Sequence, residues 1–272
     1  MNIKLLALDL DGTIFGDDLV ISDRTRAAIR GAQQRGVLVS IATGRMFRSA
    51  CHVASDLQID APVICYQGAL VRDCATGEIL YHKTVPLDLA HAIIEETYAR
   101  GLHLNVYVND ELYVDHSNRQ AEFYSRINMG LVIHEVGNLH AWLDAQGGAG
   151  PTKLVIVTDA PQTDDVLSLF TQLYGERLQV TKSHPRFTEF TNRECSKGVA
   201  LAMLARHYEI ARDEVMAIGD GHNDLDMIAW AGHGVAMSTS PKQLLEVATI
   251  LARSLQEDGA AEVIERYVIR DT

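Results

Sequence analysis

Short apolar runs alternate with amphipathic stretches over the first part of the chain. Ser22 opens a stretch of helical spacing and Gly36 follows its last turn, which indicates an N-capped helix. Strands are predicted at residues 3–8, 37–45 (with a turn) and 62–68, and helices at 22–36 and 46–58. Nearly continuous apolar strands that alternate with helices predict a parallel sheet covered on both faces.

From about Val71 the pattern changes to antiparallel pairs, with hairpins predicted around residues 76–77 and 109–110. Further helices are predicted at 88–100, 117–129, 139–146 and 161–174, and strands at 153–158, 177–182 and 186–190. The first pattern then resumes, with helices at 196–208, 223–230 and 241–248 and strands at 214–219 and 234–237. The sequence therefore predicts a parallel α/β core (1–82 and 189–272) interrupted by an α+β insertion (83–188).

Composition and charge narrow the class of protein. With 272 residues, 47% of them hydrophobic, the chain can bury a sizeable core. Its net charge of -12 opposes binding to nucleic acid or to membrane surfaces, which are anionic. No apolar window approaches the ~20 residues of a membrane span, and Asp9 interrupts the first apolar run before it reaches signal-peptide length. We expect a cytoplasmic protein with reduced cysteines, since the four of them (Cys51, Cys65, Cys74 and Cys195) form no CxxC pair.

The stretch DLDGT places two carboxylates at the end of the first predicted strand, where ligands of open parallel sheets bind. A turn with Thr13 as a helix cap is the plain alternative. The functional interpretation is that Asp9 attacks phosphorus as a nucleophile, which divides a slow hydrolysis into two faster displacements. Asp11 then protonates the leaving alcohol and later deprotonates the attacking water, so it has to start with a proton.

A second acidic stretch, GDGHND, follows a later predicted strand. Asp220 and Asp224 are placed there to join Asp9 around one cation, unless the stretch is only a glycine-rich turn before a helix. Hard carboxylate oxygens suit Mg²⁺, which also accepts a phosphate oxygen. The sequence therefore predicts a magnesium site at the carboxyl edge of the sheet.

Two further residues are candidates for binding phosphate. Thr43 follows an apolar strand, and Lys197 stands at a helix start, where backbone N–H groups also favour anions. Each signal is weak alone, because Thr43 also suits a turn and Lys197 a solvated surface. Together with a metal ion they offset the clustered carboxylates and a dianionic substrate, so the overall negative charge does not exclude a phosphate ester.

In this order, DLDGT, IATGR, SKG and GDGHND resemble the four motifs of the haloacid dehalogenase-like (HAD) phosphatases. The insertion between the second and third motifs resembles the type C2B cap of the Cof-type subfamily, and the resemblance covers essentially the whole chain. It implies an α/β fold with a Rossmann-like parallel-sheet core and an inserted α+β cap domain. The implied activity is Mg²⁺-dependent hydrolysis of small phosphate monoesters, such as sugar phosphates or other phosphorylated metabolites.

The resemblance also implies roles for the motif residues. Asp9 is the nucleophile and Asp11 the acid/base, and the backbone carbonyl of Asp11 is a further metal ligand. The implied phosphate-binding residues are Thr43, Gly44 and Lys197, the metal residues are Asp9, Asp11, Asp220 and Asp224, and Arg45 and Asn223 are candidates for substrate or phosphate contact. For Arg45, a structural ion pair is the alternative.

Other readings of the same residues stay open. A sugar phosphomutase shares the DxDGT start and differs in what attacks the aspartyl-phosphate. A non-catalytic sensor of phosphorylated metabolites would keep the fold alone. The expected partner is a small phosphorylated metabolite, with no nucleic acid or membrane, in a monomer or homodimer. Polar residues of the insertion are candidates for contact with a sugar, although most suit ordinary surface or hairpin positions: Tyr113, His116, His184, Arg186, Glu189 and Asn192.

Overall fold

The computed structural model describes residues 1–16, 18–128 and 131–270. The chain forms two compact units: Met1–Tyr81 combines with the chain from Ser196 onwards, and His82–Cys195 forms the second unit. The second unit ends seven residues beyond the predicted boundary at 188, because the strand Phe187–Asn192 pairs with the strand Lys153–Val157 of that unit.

The first unit is built on a parallel sheet. The strands of this unit are β1 (Leu5–Leu8), β2 (Leu38–Ile41), β3 (Val63–Cys65), β4 (Leu70–Arg72), β5 (Ile79–His82), β12 (Val215–Gly219), β13 (His233–Met237) and β14 (Ile250–Ala252). Of these, β3, β4 and β5 form a separate small sheet, in which β3 and β4 are antiparallel. Its helices are α1 (Asp23–Gln34), α2 (Phe47–Asp56), α7 (Lys197–His207), α8 (Leu225–Trp230), α9 (Lys242–Val247) and α10 (Gly259–Ile264), which runs into a π-helical turn at Glu265–Ile269. The main sheet has the order β14-β13-β12-β1-β2, and every pair in it is parallel.

Burial explains why this sheet forms. All four residues of β1 are fully buried, so both faces of the strand are covered. Leu5 and Ala7 pack in one cluster with Leu201 and Leu204 of α7. A strand covered on both faces has to be apolar throughout, as the sequence pattern predicted. The predicted α/β fold with a parallel central sheet is confirmed.

Local signals set the limits of α1. The hydroxyl of Ser22 accepts a hydrogen bond from the Thr25 amide, which confirms Ser22 as the N-cap. Gly36 follows the last turn with φ +77°, a conformation that residues with a side chain rarely adopt. The predicted helix 22–36 therefore begins and ends close to where these two residues place it.

The second unit has a mixed sheet with the order β10-β11-β9-β6-β7-β8. Its strands are β6 (His103–Val108), β7 (Glu111–Val114), β8 (Ile133–Glu135), β9 (Lys153–Val157), β10 (Leu178–His184) and β11 (Phe187–Asn192). Its helices are α3 (Leu87–Ala99), α4 (Arg119–Ile127), α5 (Leu139–Asp144) and α6 (Ala160–Tyr174). The end predicted for α4, Met129, lies outside the described residues.

The hairpin between β6 and β7 turns at the predicted place. Asn109 and Asp110 both have positive φ, at 52° and 63°, as the two central residues of a type I′ turn require. One candidate for contact with a sugar, Glu189, is buried in this unit, where it accepts a hydrogen bond from the buried Lys153 at 3.3 Å. Its environment is therefore that of a buried ion pair.

The structure bears on two expectations from the sequence, one about membrane spans and one about the state of the cysteines. Within residues 1–16, 18–128 and 131–270, no helix has both the length and the apolar character needed to cross a membrane. The expectation of reduced cysteines is wrong, because Cys51 on α2 and Cys74 in the β4–β5 turn form a disulfide with their Cα atoms 5.5 Å apart. The pair is 23 residues apart in sequence, so a search for local CxxC spacing could not find it.

Reducing this disulfide is expected to destabilise the first unit. In the chain-entropy account, a bridge that closes a loop of 23 residues stabilises the folded state by about 3 kcal/mol. Urea unfolding with and without dithiothreitol measures the difference in free energy of unfolding. The Cys51→Ser/Cys74→Ser variant is the control, because it should show the lower stability in both conditions. Equal stability of the parent protein with and without reductant would contradict the prediction.

A buried histidine is expected to make the second unit sensitive to acid. His103 donates from Nε2 to Asn105 Oδ1 at 2.8 Å and accepts at Nδ1 from Asn118 Nδ2 at 3.0 Å, so both ring nitrogens are used by the neutral form. Burial lowers the pKa of His103, and burial also lowers the pKa of His140 and of His184 in the same unit. As the pH falls, a histidine whose pKa is lower in the folded state is protonated in the unfolded state first. Protonation therefore favours unfolding.

Lowering the pH below about 6.5, the unfolded pKa of histidine, is therefore expected to destabilise this unit. For one histidine the slope reaches at most about 1.4 kcal/mol per pH unit, down to its lowered folded pKa. Urea midpoints between pH 7.5 and pH 5 should fall in the parent protein and fall less in His103→Gln, which keeps a polar amide without the titration. If the urea midpoint fell equally with pH in both proteins, groups other than His103 would cause the pH dependence.

Candidate active site

The candidate site is formed at the carboxyl ends of three neighbouring strands in the first unit. Asp9 follows β1, Thr43 follows β2 and Asp220 follows β12. Since β12, β1 and β2 are adjacent and parallel, their ends meet at one edge of the sheet. The structure thus brings together the first, second and fourth sequence motifs at this edge.

Lys197 joins two of the carboxylates. It is the first residue of α7, directly after the N-cap Ser196, and its side chain is fully buried. Its Nζ lies 2.6 Å from Asp9 Oδ1 and 2.6 Å from Asp224 Oδ1. A buried ammonium needs such partners, so the solvated surface lysine considered from the sequence is excluded.

Asp224 is fixed by donors on both oxygens. Besides the bond to Lys197, its Oδ2 accepts from the backbone amides of Asp220 at 3.0 Å and Gly221 at 2.9 Å. The residue is fully buried in the turn His222–Asp224. This arrangement orients Asp224 behind Lys197 and closes the loop that carries Asp220.

Thr13 is a site residue whose role the sequence did not reveal. Its buried hydroxyl lies 3.0 Å from Asp220 Oδ1 and 3.2 Å from Asp9 Oδ2, and it can donate to either oxygen. The sequence offered only a helix cap for this residue. Thr13 acquires these partners because the first and fourth motifs come close together in the fold, which the local sequence around Thr13 cannot show.

Gly12 allows Asp220 to come close. Its φ is +86°, and a Cβ at this position would lie 2.3 Å from Asp220 Oδ2. Any side chain here would therefore meet the carboxylate as well as a strained backbone. The glycine of DLDGT is thus required by the packing of the two acidic loops.

The charges of the cluster are unbalanced. Burial, followed by the neighbouring Asp224 carboxylate, raises the pKa of Asp9 well above its usual range, and Lys197 opposes this rise. Burial and Asp224 likewise raise the pKa of Asp220. Burial alone would lower the pKa of Lys197, but Asp224 and Asp9 outweigh it and raise that pKa. Three carboxylates and one ammonium leave an excess of negative charge that favours a cation.

The acidic cluster fits a hard divalent cation. One carboxylate oxygen from each of Asp9, Asp220 and Asp224 lies within 4.8 Å of the others. All three ligands are carboxylates, which suit Mg²⁺ better than the softer metals that imidazole or thiolate select. Both oxygens of Asp224 already accept hydrogen bonds, from Lys197 and from the amides of Asp220 and Gly221.

Asp11 lies at the exposed side of the site and is held by Arg45. The Arg45 guanidinium donates from Nε to Asp11 Oδ2 at 2.9 Å and from Nη2 to Asp11 Oδ1 at 2.6 Å. It also lies 4.8 Å from the centre of the Phe15 ring. Of the two interpretations of Arg45, the structure contains the ion pair, in a bidentate form that orients Asp11.

The remaining predicted residues line the same edge. Thr43 is buried, and its hydroxyl accepts from the Arg45 amide at 3.1 Å, which shapes the turn through Gly44. Asn223 is exposed and donates from Nδ2 to Gln67 Oε1 at 3.0 Å. Gln67 was not among the sequence candidates, because it follows β3 without a recognised motif.

The same fold is found in solved structures, one of which is a haloacid dehalogenase-like hydrolase. A haloacid dehalogenase-like hydrolase from Bacteroides thetaiotaomicron is 29% identical, with a TM-score of 0.85 and coverage of 97% of this chain and 99% of that one. TM0651 from Thermotoga maritima is 28% identical, with a TM-score of 0.86 and coverage of 99% and 98%. The fold and the acidic edge thus define a haloacid dehalogenase-like α/β hydrolase.

The chain belongs to the haloacid dehalogenase-like hydrolase family, whose sequence profile matches residues 6–264. It is similar to the 5-amino-6-(5-phospho-D-ribitylamino)uracil phosphatase YitU of Bacillus subtilis, at 28% identity over 274 residues and 97% of each chain. The predicted membership in the Cof-type HAD phosphatases and the predicted enzyme class, a phosphatase, are confirmed.

Proposed function

We propose that this protein is a Mg²⁺-dependent phosphatase that hydrolyses small phosphate monoesters, such as sugar phosphates, through an aspartyl-phosphate on Asp9. One observation carries the proposal. The Asp9 carboxylate lies at the carboxyl edge of the sheet, 2.6 Å from a buried lysine and beside the carboxylates of Asp220 and Asp224. A buried carboxylate fixed in this way is positioned to attack an anionic phosphoryl group, once Lys197 and a cation held by the acidic cluster offset the added charge.

The phosphoryl group is proposed to bind between Thr43, Gly44 and Lys197. The ammonium of Lys197 is already held beside Asp9, so it can neutralise a phosphoryl oxygen without reorganising. Thr43 and Gly44 follow the adjacent strand and add donors from the turn. These three residues are proposed to hold the phosphoryl group beside the attacking oxygen of Asp9.

Asp11 is proposed to move the protons. It gives one to the leaving alcohol in the first step and takes one from water in the second. The bidentate pair with Arg45 uses both oxygens of Asp11, so one oxygen has to be released for either transfer. Arg45 then keeps the other oxygen and orients the side chain.

Asp9, Asp220 and the backbone carbonyl of Asp11 are proposed to hold Mg²⁺, with Asp224 completing the acidic set. When bound, the metal ion would stabilise negative charge on the phosphoryl oxygens. The raised pKa values of Asp9 and Asp220, caused first by burial, support a cation at this position, because it would keep both groups ionised.

The second unit, predicted at residues 83–188, is proposed to be the C2B-type cap that selects the substrate. Phosphatases with the same catalytic residues need a separate element to distinguish the leaving groups of their substrates. A domain that covers the site would also exclude water during the first step. We further propose a cytoplasmic monomer or homodimer that acts on a small phosphorylated metabolite, without nucleic acid or membrane partners. The Cys51–Cys74 disulfide is an observation against this compartment, because the cytosol keeps most thiols reduced.

The test is release of inorganic phosphate from a panel of sugar phosphates, nucleotides and phosphorylated cofactor precursors, with Mg²⁺ and with EDTA. We expect release from several compounds and its loss with EDTA. Product analysis by ³¹P NMR separates hydrolysis from a mutase, which would return phosphate to a sugar. Binding without any release would instead favour the sensor.

A further inference from the structure

Three consecutive residues after β3 have left-handed backbone conformations. The φ angles are 52° at Tyr66, 59° at Gln67 and 93° at Gly68. Glycine adopts such angles freely, but a residue with a Cβ rarely does, and two in succession are rarer still. Strain of this kind persists where the surrounding structure enforces it, and it is concentrated at functional sites.

The surrounding structure here is the candidate site itself. The Tyr66 amide donates to the Arg45 carbonyl at 3.0 Å, and the Gln67 amide donates to the Thr43 carbonyl at 3.2 Å. A Cβ on Gly68 would lie 2.1 Å from the carbonyl oxygen of Ser196, so the turn also packs closely against the start of α7. The turn therefore joins the loop after β2 to the helix that begins with Lys197.

The Gln67 side chain is oriented toward the same loop. Asn223 donates from Nδ2 to its Oε1 at 3.0 Å, so in this arrangement the oxygen end of the amide faces Asn223. The Nε2 end lies beside Gly44, where a Cβ would be only 2.4 Å away. The half-buried Gln67 thus brings an N–H donor to the turn that follows Thr43.

We propose that Gln67 is a substrate-binding residue, whose Nε2 amide donates a hydrogen bond to an oxygen of the substrate's phosphoryl group beside Gly44. This inference rests on the proposed phosphatase function. Asn223 is then a positioning residue, because its bond to Oε1 turns the donor end of the amide toward the turn. Glycine suits the conformation of residue 67 better than glutamine does, so a role for the side chain accounts for the strain that the chain retains.

The test compares Gln67→Ala with a matched control, Gln58→Ala. Gln58 is another glutamine of the first unit with a left-handed backbone, φ 55°, but it is exposed and follows the end of α2. Loss of a hydrogen bond to a charged ligand weakens binding about tenfold or more. We expect Gln67→Ala to raise the inhibition constant of inorganic phosphate by that factor, to raise KM similarly for substrates with different leaving groups, and to leave the melting temperature close to that of Gln58→Ala.

Two further variants separate binding from backbone strain. Gln67→Gly removes the amide and relieves the backbone, so it should bind phosphate as weakly as Gln67→Ala while melting at a higher temperature. Gln67→Glu replaces the donor with an anion and should bind phosphate more weakly still. An unchanged inhibition constant for phosphate in a folded Gln67→Ala protein would overturn the inference.

Calorimetric titration with inorganic phosphate and Mg²⁺ keeps this result distinct from the proposed function. It needs no turnover, so it measures the effect of Gln67 even if the parent protein hydrolyses none of the panel. Absence of hydrolysis with an intact effect of Gln67 would contradict the phosphatase proposal alone. Hydrolysis with no effect of Gln67 on phosphate binding would contradict this inference alone.

Discussion

Replacing Asp9 with asparagine is expected to reduce phosphate release at least about 10⁴-fold, because the amide cannot form the covalent intermediate. The substitution is nearly isosteric and keeps an oxygen for Lys197. Initial rates at saturating substrate and Mg²⁺ measure the loss, in an assay sensitive enough to detect a rate of phosphate release about 10⁴-fold lower. A rate within tenfold of the parent protein would exclude Asp9 as the nucleophile.

Stability separates this chemical loss from unfolding. Burial and the adjacent Asp224 disfavour the charged form of Asp9, as its raised pKa indicates, so removing the charge relieves repulsion. The free energy of unfolding of Asp9→Asn, measured without metal, is expected to equal or exceed that of the parent protein. A marked decrease would mean that the activity loss reports a damaged fold.

Replacing Lys197 with methionine is expected to damage both stability and activity. The side chain is fully buried between Asp9 and Asp224, so its loss leaves two carboxylates without their shared cation. Breaking a buried ion pair from one side typically costs about 3–5 kcal/mol. Urea unfolding measures this cost, and phosphate release should fall with it, since the same ammonium is proposed to bind the phosphoryl group.

Lys242→Met is the matched control in the same unit. Its side chain is 86% exposed and pairs with Glu246 one helical turn away, an arrangement whose removal changes stability by about 0.5 kcal/mol or less. In the Asp9→Asn background, Lys197→Met should cost less than in the parent, because one of the two unpaired charges is gone. Equal costs of Lys197→Met and Lys242→Met would contradict the buried-pair account.

Prediction of the fold succeeded where one physical requirement dominates. Strands covered on both faces are almost entirely apolar, which made β1, β2 and β12 recognisable in the sequence. The strand β8 (Ile133–Glu135) was missed, because it has only three residues and none of them is fully buried. The edge strand β14 (Ile250–Ala252) was missed for the same reason of length, and its central residue is exposed.

The sequence indicated where the candidate site residues lie but not which side chains they contact. Residues that follow parallel strands meet at one edge, so Asp9, Thr43 and Asp220 could be placed together from the order of elements. The partners of each side chain depend on the loops that bring them close. The shared hydroxyl of Thr13 and the pair between Arg45 and Asp11 arise only from that packing, and no spacing in the sequence encodes them.

Trapping the covalent intermediate tests the central claim most directly. The protein is mixed with its best substrate and Mg²⁺, quenched in acid within one turnover and digested for mass spectrometry. The account predicts a peptide that carries one added phosphoryl group on Asp9, and its absence in Asp9→Asn. Rapid phosphate release without any phosphorylated Asp9, together with release by Asp9→Asn at the parent rate, would contradict it.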